Sequence, residues 1–222
     1  MPVVEFRVFK PKYKPRVMTS RDKNGVAPHP VLSEYYESED SRREKVDQMF
    51  DSSAEHYDWI CDVMSFGSGE MYRRQALHRN GVKKGMKVLD VGAGTGVISL
   101  LSQKIVGEDG LVVALDPSKG MLGEAKKSGV KHASLGLGEK LPFPDDTFDV
   151  LTMGFALRHV ADLAEAFNEY KRVLKPGGKV LLLEISKPSS SLATLFLKAY
   201  MKGVVPVATR IFRRSADAKI FL

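Results

Sequence analysis

Val88-Leu89-Asp90-Val91-Gly92-Ala93-Gly94-Thr95-Gly96 decides the fold. A short apolar run passes into three glycines at alternate positions. A helical pattern through Ile98, Leu101 and Ile105 follows. Strand, glycine turn and helix together open many nucleotide-binding α/β domains. Glycines let the chain turn sharply and let a ligand approach the backbone, and the helix N-terminus offers N–H groups to an anion. The spacing is G-x-G-x-G, with Val97 where the dinucleotide fingerprint would place its third glycine. No G-x-x-x-x-G-K-[ST] occurs, which excludes a P-loop. Alone, the stretch reads either as a site for a nucleotide-like cofactor or as a tight turn.

Working toward the C-terminus, the pattern predicts alternating strands and helices. Lys87 to Val91 is the first strand and Leu111 to Leu115 the second, ending at Asp116. Ser118 to Lys127 is a short helix, His132 to Leu135 a weak strand and Phe148 to Phe155 a fourth strand. Asp162 to Leu174 is an amphipathic helix, Lys175-Pro176-Gly177-Gly178 a turn and Val180 to Ile185 a fifth strand. Unbroken apolar runs such as Val180-Leu181-Leu182-Leu183 suit strands covered on both faces. The expected fold is a Rossmann-like, doubly wound, mainly parallel α/β sheet.

Toward the N-terminus the pattern is helical. Ser41-Arg42-Arg43-Glu44 is a capping box that opens a run through Val46, Met49 and Phe50. A second run, Ala54 to Met64, is broken by Gly67 and Gly69. A third, through Met71, Tyr72, Ala76 and Leu77, stops at Asn80-Gly81. The expected organisation is a basic, Pro-containing flexible arm (1–40) followed by a domain (41–222). That domain holds a helical cap (41–82), the Rossmann-like core (83–187) and a C-terminal lid segment (188–222).

Asp116 sharpens the ligand. An acidic side chain at the end of the second strand can accept from both hydroxyls of a ribose; it can also cap the helix that begins near Ser118. Loop and carboxylate together describe a nucleoside with an anionic or zwitterionic tail. S-adenosylmethionine fits, with its ribose on Asp116 and its methionine end near Asp90 and the loop residues Gly92, Ala93, Gly94, Thr95 and Gly96.

Composition narrows the class. The chain has 222 residues, 43% of them hydrophobic and 27% charged, ordinary for a globular α/β protein. Cys61 is its single cysteine, so no internal disulfide forms, and the five histidines lack metal-site spacing. No metal is expected. No run is long and apolar enough to read as a membrane-spanning helix. Net charge is +7, and residues 1–32 hold seven of the basic residues against Glu5 and Asp22. Such an arm reads as a solvated tail, a transit peptide, or a contact for an anionic membrane surface or nucleic acid. A cytoplasmic or mitochondrial-matrix location suits these features. No folded nucleic-acid module is evident, so nucleic acid is not the expected partner.

Several blocks, covering roughly residues 44–215, resemble the UbiE-type quinone-biosynthesis C-methyltransferases of the class I S-adenosylmethionine-dependent superfamily. They are Val46-Asp47-Gln48-Met49-Phe50-Asp51 with Ala54-Glu55-His56-Tyr57-Asp58, then Asp62-Val63-Met64-Ser65-Phe66-Gly67, and the glycine loop. Glu139-Lys140-Leu141-Pro142-Phe143-Pro144-Asp145, Phe155-Ala156-Leu157-Arg158-His159-Val160-Ala161-Asp162 and Arg172-Val173-Leu174-Lys175-Pro176-Gly177-Gly178 complete the set. The loop and the K-P-G-G turn are superfamily signals; the first and the Phe155 blocks are more specific. The resemblance implies C-methylation of a prenylated benzoquinol or naphthoquinol. It implies Asp116 at the ribose, Glu139 near the adenine and Arg158 facing the acceptor; Pro117, Met121 and Gly138 are further candidates for cofactor binding. Where the family reads Arg-Asn this chain has Arg158-His159, and Leu137 stands where the family has Asn or Asp. The chain stops at Leu222, where the family runs on through a further helix and closing strand pair, so the expectation is either a truncated C-terminal end or a sheet that ends differently.

Methyl transfer to carbon needs a phenol that has lost its proton. Arg158 stays protonated and suits phenolate stabilisation; His159 can take the proton. A backbone-bonded core histidine and a surface ion pair are the plainer alternatives for these two residues. Tyr57, with Phe50 and Trp59, either lines the acceptor pocket or packs on the sheet. Leu192, Leu195, Phe196 and Ala199 form a stripe surrounded by Lys187, Lys198, Lys202, Arg210, Arg213 and Arg214. It is either a lid that meets a prenyl tail or a membrane surface, or an ordinary packed helix. A second copy of the chain is a candidate partner. Methylation of another small molecule and a cofactor-binding scaffold remain the alternative functions.

Overall fold

The computed structural model describes residues 68–184 and 190–204. The two stretches belong to separate compact units. The expected arm, the first two helical runs and Phe50, Tyr57 and Trp59 lie outside the described residues, as does everything after residue 204.

In the first stretch, five strands, β1 (Lys87–Val91), β2 (Leu111–Asp116), β3 (His132–Leu135), β4 (Phe148–Gly154) and β5 (Leu174–Leu183), pair in the order β3-β2-β1-β4-β5. Every pairing is parallel. The order reverses between β1 and β4, so their C-terminal ends flank the crevice where open α/β sheets bind ligands.

Side-chain alternation sorts the core onto two faces. Val88, Val112, Val150 and Leu183 pack with α1 (Gly69–Asn80) and α2 (Val97–Val106). Ala114 packs with Leu122 and Ala125 of α3 (Lys119–Lys127). On the other face Leu89, Val91, Leu115, Leu151 and Met153 meet α4 (Leu163–Val173) through Ala166, Tyr170 and Val173.

Local chemistry sets the boundaries. Asp162 caps α4 by accepting from the amides of Ala164 and Glu165. Gly81, at φ 86°, ends α1. The third helical run begins at Gly69, where the amide has no intrahelical partner to lose. Two expected limits move. α4 ends at Val173, and Leu174 pairs with Phe148, so the Lys175-Pro176-Gly177-Gly178 turn becomes an irregularity inside β5. β4 stops at Gly154, because Phe155 leaves the strand region at φ 59°.

Arg172 anchors the segment that enters β4. Its guanidinium reaches Asp145 (2.7 Å) and Glu169 (2.6 Å) and donates to the carbonyls of Leu141 and Phe143. Glu169 in turn accepts from the Leu141 amide at 2.9 Å.

In the second stretch, α5 (Ser191–Ala199) runs into a π-helical turn, Tyr200–Val204. Leu192, Leu195 and Phe196 are exposed. Among the described residues no helix is long and apolar enough to cross a membrane.

Candidate active site

The glycine loop leaves β1 at Val91 and enters α2 at Val97. Gly92 and Gly94 have φ 65° and 55°, a region that side chains rarely adopt. They differ in surroundings. A Cβ on Gly92 would lie 2.6 Å from the Cβ of Ala156, so loop and post-β4 segment touch. A Cβ on Gly94 would meet nothing within 4 Å. The loop is thus packed on one side and open at its tip, the shape a cofactor's tail needs.

Asp116 ties the tip down. Its Oδ2 accepts from the Gly94 amide at 2.8 Å and its Oδ1 from the Ser118 amide at 2.9 Å, with the residue 7% exposed. The cap of α3 is Ser118, whose hydroxyl accepts from the Met121 amide at 3.0 Å. Asp116 therefore does not itself cap α3, and its carboxylate sits against the loop. Pro117 beside it is exposed and Met121 buried.

Asp90 is 1% exposed and lies under the loop. The Ser99 hydroxyl donates to its Oδ2 at 2.7 Å and the Thr152 hydroxyl to its Oδ1 at 2.8 Å. Burial pushes its pKa up to about 6; the two hydroxyls pull against that rise, and the Asp116 charge adds to it. Asp90 joins β1, β4 and α2. Sequence reading found Asp90 but neither partner. Their signals were a lone Thr in the apolar run of β4 and a Ser three positions past Gly96.

Opposite the loop, Leu157–His159 form a 3-10 turn carrying Arg158, which is exposed, and His159, which is half-buried. The Arg158 Nε–H donates to His159 Nε2 at 3.2 Å. Two carboxylates hold this segment. Glu139 Oε1 accepts from the Ala161 amide at 2.7 Å, and Glu184 Oε1 from the Leu157 amide at 2.9 Å. Glu184 was missed in the sequence; a charged residue closing the apolar run of β5, as Asp116 closes β2, was its signal. Phe155 bonds through its amide to the Leu183 carbonyl (2.7 Å), and the Arg73 guanidinium lies 5.3 Å from its ring centroid. Gly138 faces Val91 and Tyr170. The site thus brings together Asp90, the glycine loop, Asp116, Glu139, Arg158 and His159. Tyr57 falls outside the described residues.

A parallel sheet with a G-x-G-x-G loop after β1 and a carboxylate at the end of β2 defines a class I S-adenosylmethionine-dependent methyltransferase. A solved structure from Thermotoga maritima agrees: a SAM-dependent methyltransferase, titled a possible histamine N-methyltransferase, is 25% identical with TM-score 0.54, over 70% of this chain and 69% of that one. The model of the ubiE/COQ5 methyltransferase family matches residues 38–222, and this chain belongs to that family. The UbiE ubiquinone/menaquinone biosynthesis C-methyltransferase of Azotobacter vinelandii is 37% identical, over 83% of this chain and 76% of its own length. The demethylmenaquinone methyltransferase of Anoxybacillus flavithermus is 39% identical, over 80% and 77%. The chain is accordingly an S-adenosylmethionine-dependent methyltransferase of the quinone-biosynthesis type.

Proposed function

We propose that this chain methylates a ring carbon of a prenylated benzoquinol or naphthoquinol at the crevice between β1 and β4. The observation that carries the reading is the contact between Gly92 and Ala156, which sets the Arg158-His159 turn beside the glycine loop. Bound there, S-adenosylmethionine supplies an activated methyl group on sulfonium. Asp116 would hold the ribose hydroxyls on the lone pairs it does not spend on the Gly94 and Ser118 amides. Glu139 would lie at the adenine, and the open tip at Gly94 would take the methionine end. The residues present fit that cofactor: an open tip, a buried carboxylate against it, and a second carboxylate on the next loop.

On the acceptor side His159 Nε2 takes the phenol proton. To do so it gives up the Arg158 N–H that it now accepts. Arg158 stabilises the phenolate and with it the nucleophilic ring carbon. Once methylated, that carbon loses its hydrogen as a proton and the phenolic oxygen regains one, which restores the aromatic quinol. The Glu139 and Glu184 bonds fix the turn so that this pair faces the loop. We assign the α5 stripe to a lipid surface. The exposure of Leu192, Leu195 and Phe196 beside Lys198 and Lys202 supports that assignment.

The test is turnover of a short-chain quinol by the complete chain. His159→Gln is expected to lower kcat about 100-fold, the scale of a lost general base, with cofactor affinity unchanged in calorimetry. Unchanged kcat would remove His159 from the mechanism.

A further inference from the structure

Tyr170 sits on α4, 1% exposed, among Val91, Leu115 and Leu141. Its ring packs edge-on against Phe167 at 5.4 Å. Everything around the ring suits phenylalanine, yet the side chain carries a hydroxyl. That hydroxyl is buried and has no hydrogen-bond partner among the described residues, a cost that phenylalanine would avoid. It points at the adenine-side loop, since a Cβ on Gly138 would lie 2.9 Å from it and 3.1 Å from Val91 Cγ1. Glu139 is the next residue.

We propose that Tyr170 is a positioning residue for cofactor recognition, its hydroxyl donating to the Glu139 carboxylate once the adenine end of S-adenosylmethionine is seated. This rests on the placement of Glu139 at the adenine given above. Three observations converge on it. The hydroxyl is buried without a hydrogen-bond partner among the described residues. The carboxylate nearest in sequence to the contact is the one assigned to the adenine. Burial and the Glu139 charge both raise the phenol's pKa, so the group keeps its proton and is a donor. Glu139 also holds the Ala161 amide, so a hydroxyl that fixes this carboxylate steadies both ends of the cleft.

The experiment is calorimetric titration of S-adenosylmethionine and S-adenosylhomocysteine into the complete chain, as wild type, Tyr170→Phe, Glu139→Gln and the double variant. Thermal melts of each unliganded protein accompany it. Tyr170→Phe is expected to raise both Kd values three- to tenfold while leaving the unliganded Tm equal or higher. In the Glu139→Gln background the same change is expected to add less than twofold. Unchanged Kd in Tyr170→Phe, with Glu139→Gln weakened, overturns the role of Tyr170 and leaves the adenine placement standing. Unchanged Kd in Glu139→Gln overturns that placement, and this inference with it. A fall in the unliganded Tm of Tyr170→Phe also overturns it, because the hydroxyl would then have its partner without the cofactor.

Discussion

The two banks of the cleft are built differently. On the cofactor bank, Asp90, Thr95, Ser99 and Asp116 are buried in or beside one short segment of chain. On the acceptor bank, a 3-10 turn hangs between two carboxylates, from Glu139 and Glu184, that lie 22 and 27 residues from the amides they hold. Its Arg158 is exposed and its entry residue, Phe155, has φ 59°. In the proposed function the first bank serves a constant ligand and is preorganised for it. The second, a short unit suspended from the scaffold, has a form that can be altered for a new acceptor without disturbing the sheet.

Asp90 breaks the comparison most strongly. Its native pKa, about 6, lies above the ordinary value of 3.8. The folded protein therefore binds that proton more tightly than the unfolded chain does. The resulting stability is fully present below about pH 4 and is lost as pH rises through 6. At neutral pH the buried charge costs up to about 3 kcal/mol, the equivalent of two pKa units. Asp90→Asn can keep both hydroxyl bonds, one accepted and one donated. It is expected to raise stability at pH 7.5 by up to that amount and to flatten the pH 4–6 slope in urea melts, while weakening cofactor binding. A variant less stable at pH 7.5 would mean that the charge is compensated where it lies.

Asp116→Ala comes next. Removing a buried acceptor of charge-assisted bonds costs about 1.5–3 kcal/mol, so calorimetry should show roughly 100-fold weaker S-adenosylmethionine binding. An effect under fivefold would move the ribose elsewhere.

Glu184→Gln tests the other bank. The amide oxygen still reaches the Leu157 N–H but without charge, which weakens the bond by about 1 kcal/mol. Quinol kcat/KM should fall about fivefold, with the Kd for S-adenosylmethionine unchanged. If kcat/KM falls and the Kd for S-adenosylmethionine rises together, the banks are one mechanical unit and the contrast between them is wrong.

The same difference explains how far the sequence could be read. The glycine loop, Asp90 and Asp116 stand within one βαβ unit, where period, glycines and a closing acid speak together. The sheet followed from apolar runs whose lengths matched strands. Ser99 and Thr152 were not seen, because a hydroxyl inside an apolar pattern gives no sign of which buried carboxylate it meets. Glu184 and Glu139 hold amides far along the chain, and no local pattern shows such a pairing. β5 was read too short for a related reason: tertiary pairing with Phe148 carries Leu174 into the ladder across a Pro-Gly-Gly turn that locally signals a loop.

Phe155→Gly has the smallest expected effect on stability and divides the banks most cleanly. A non-glycine residue at positive φ stores about 1–3 kcal/mol of strain, and glycine there releases it. The same change gives up a partly buried ring, worth about 1–2 kcal/mol, and its contact with Arg73, worth about 0.5–1 kcal/mol. These terms nearly cancel, so the stability of the unliganded protein should change by less than about 1 kcal/mol in denaturant melts. Turnover should not be spared. The peptide after residue 155 leads into the turn that carries Arg158 and His159, and glycine releases its direction. A several-fold loss of kcat with near-constant stability and constant cofactor Kd would locate the strain in the aiming of the acceptor bank. A loss of stability above about 2 kcal/mol would mean that the ring serves the core shared by α1 and α2, and that the left-handed turn is only how it gets there.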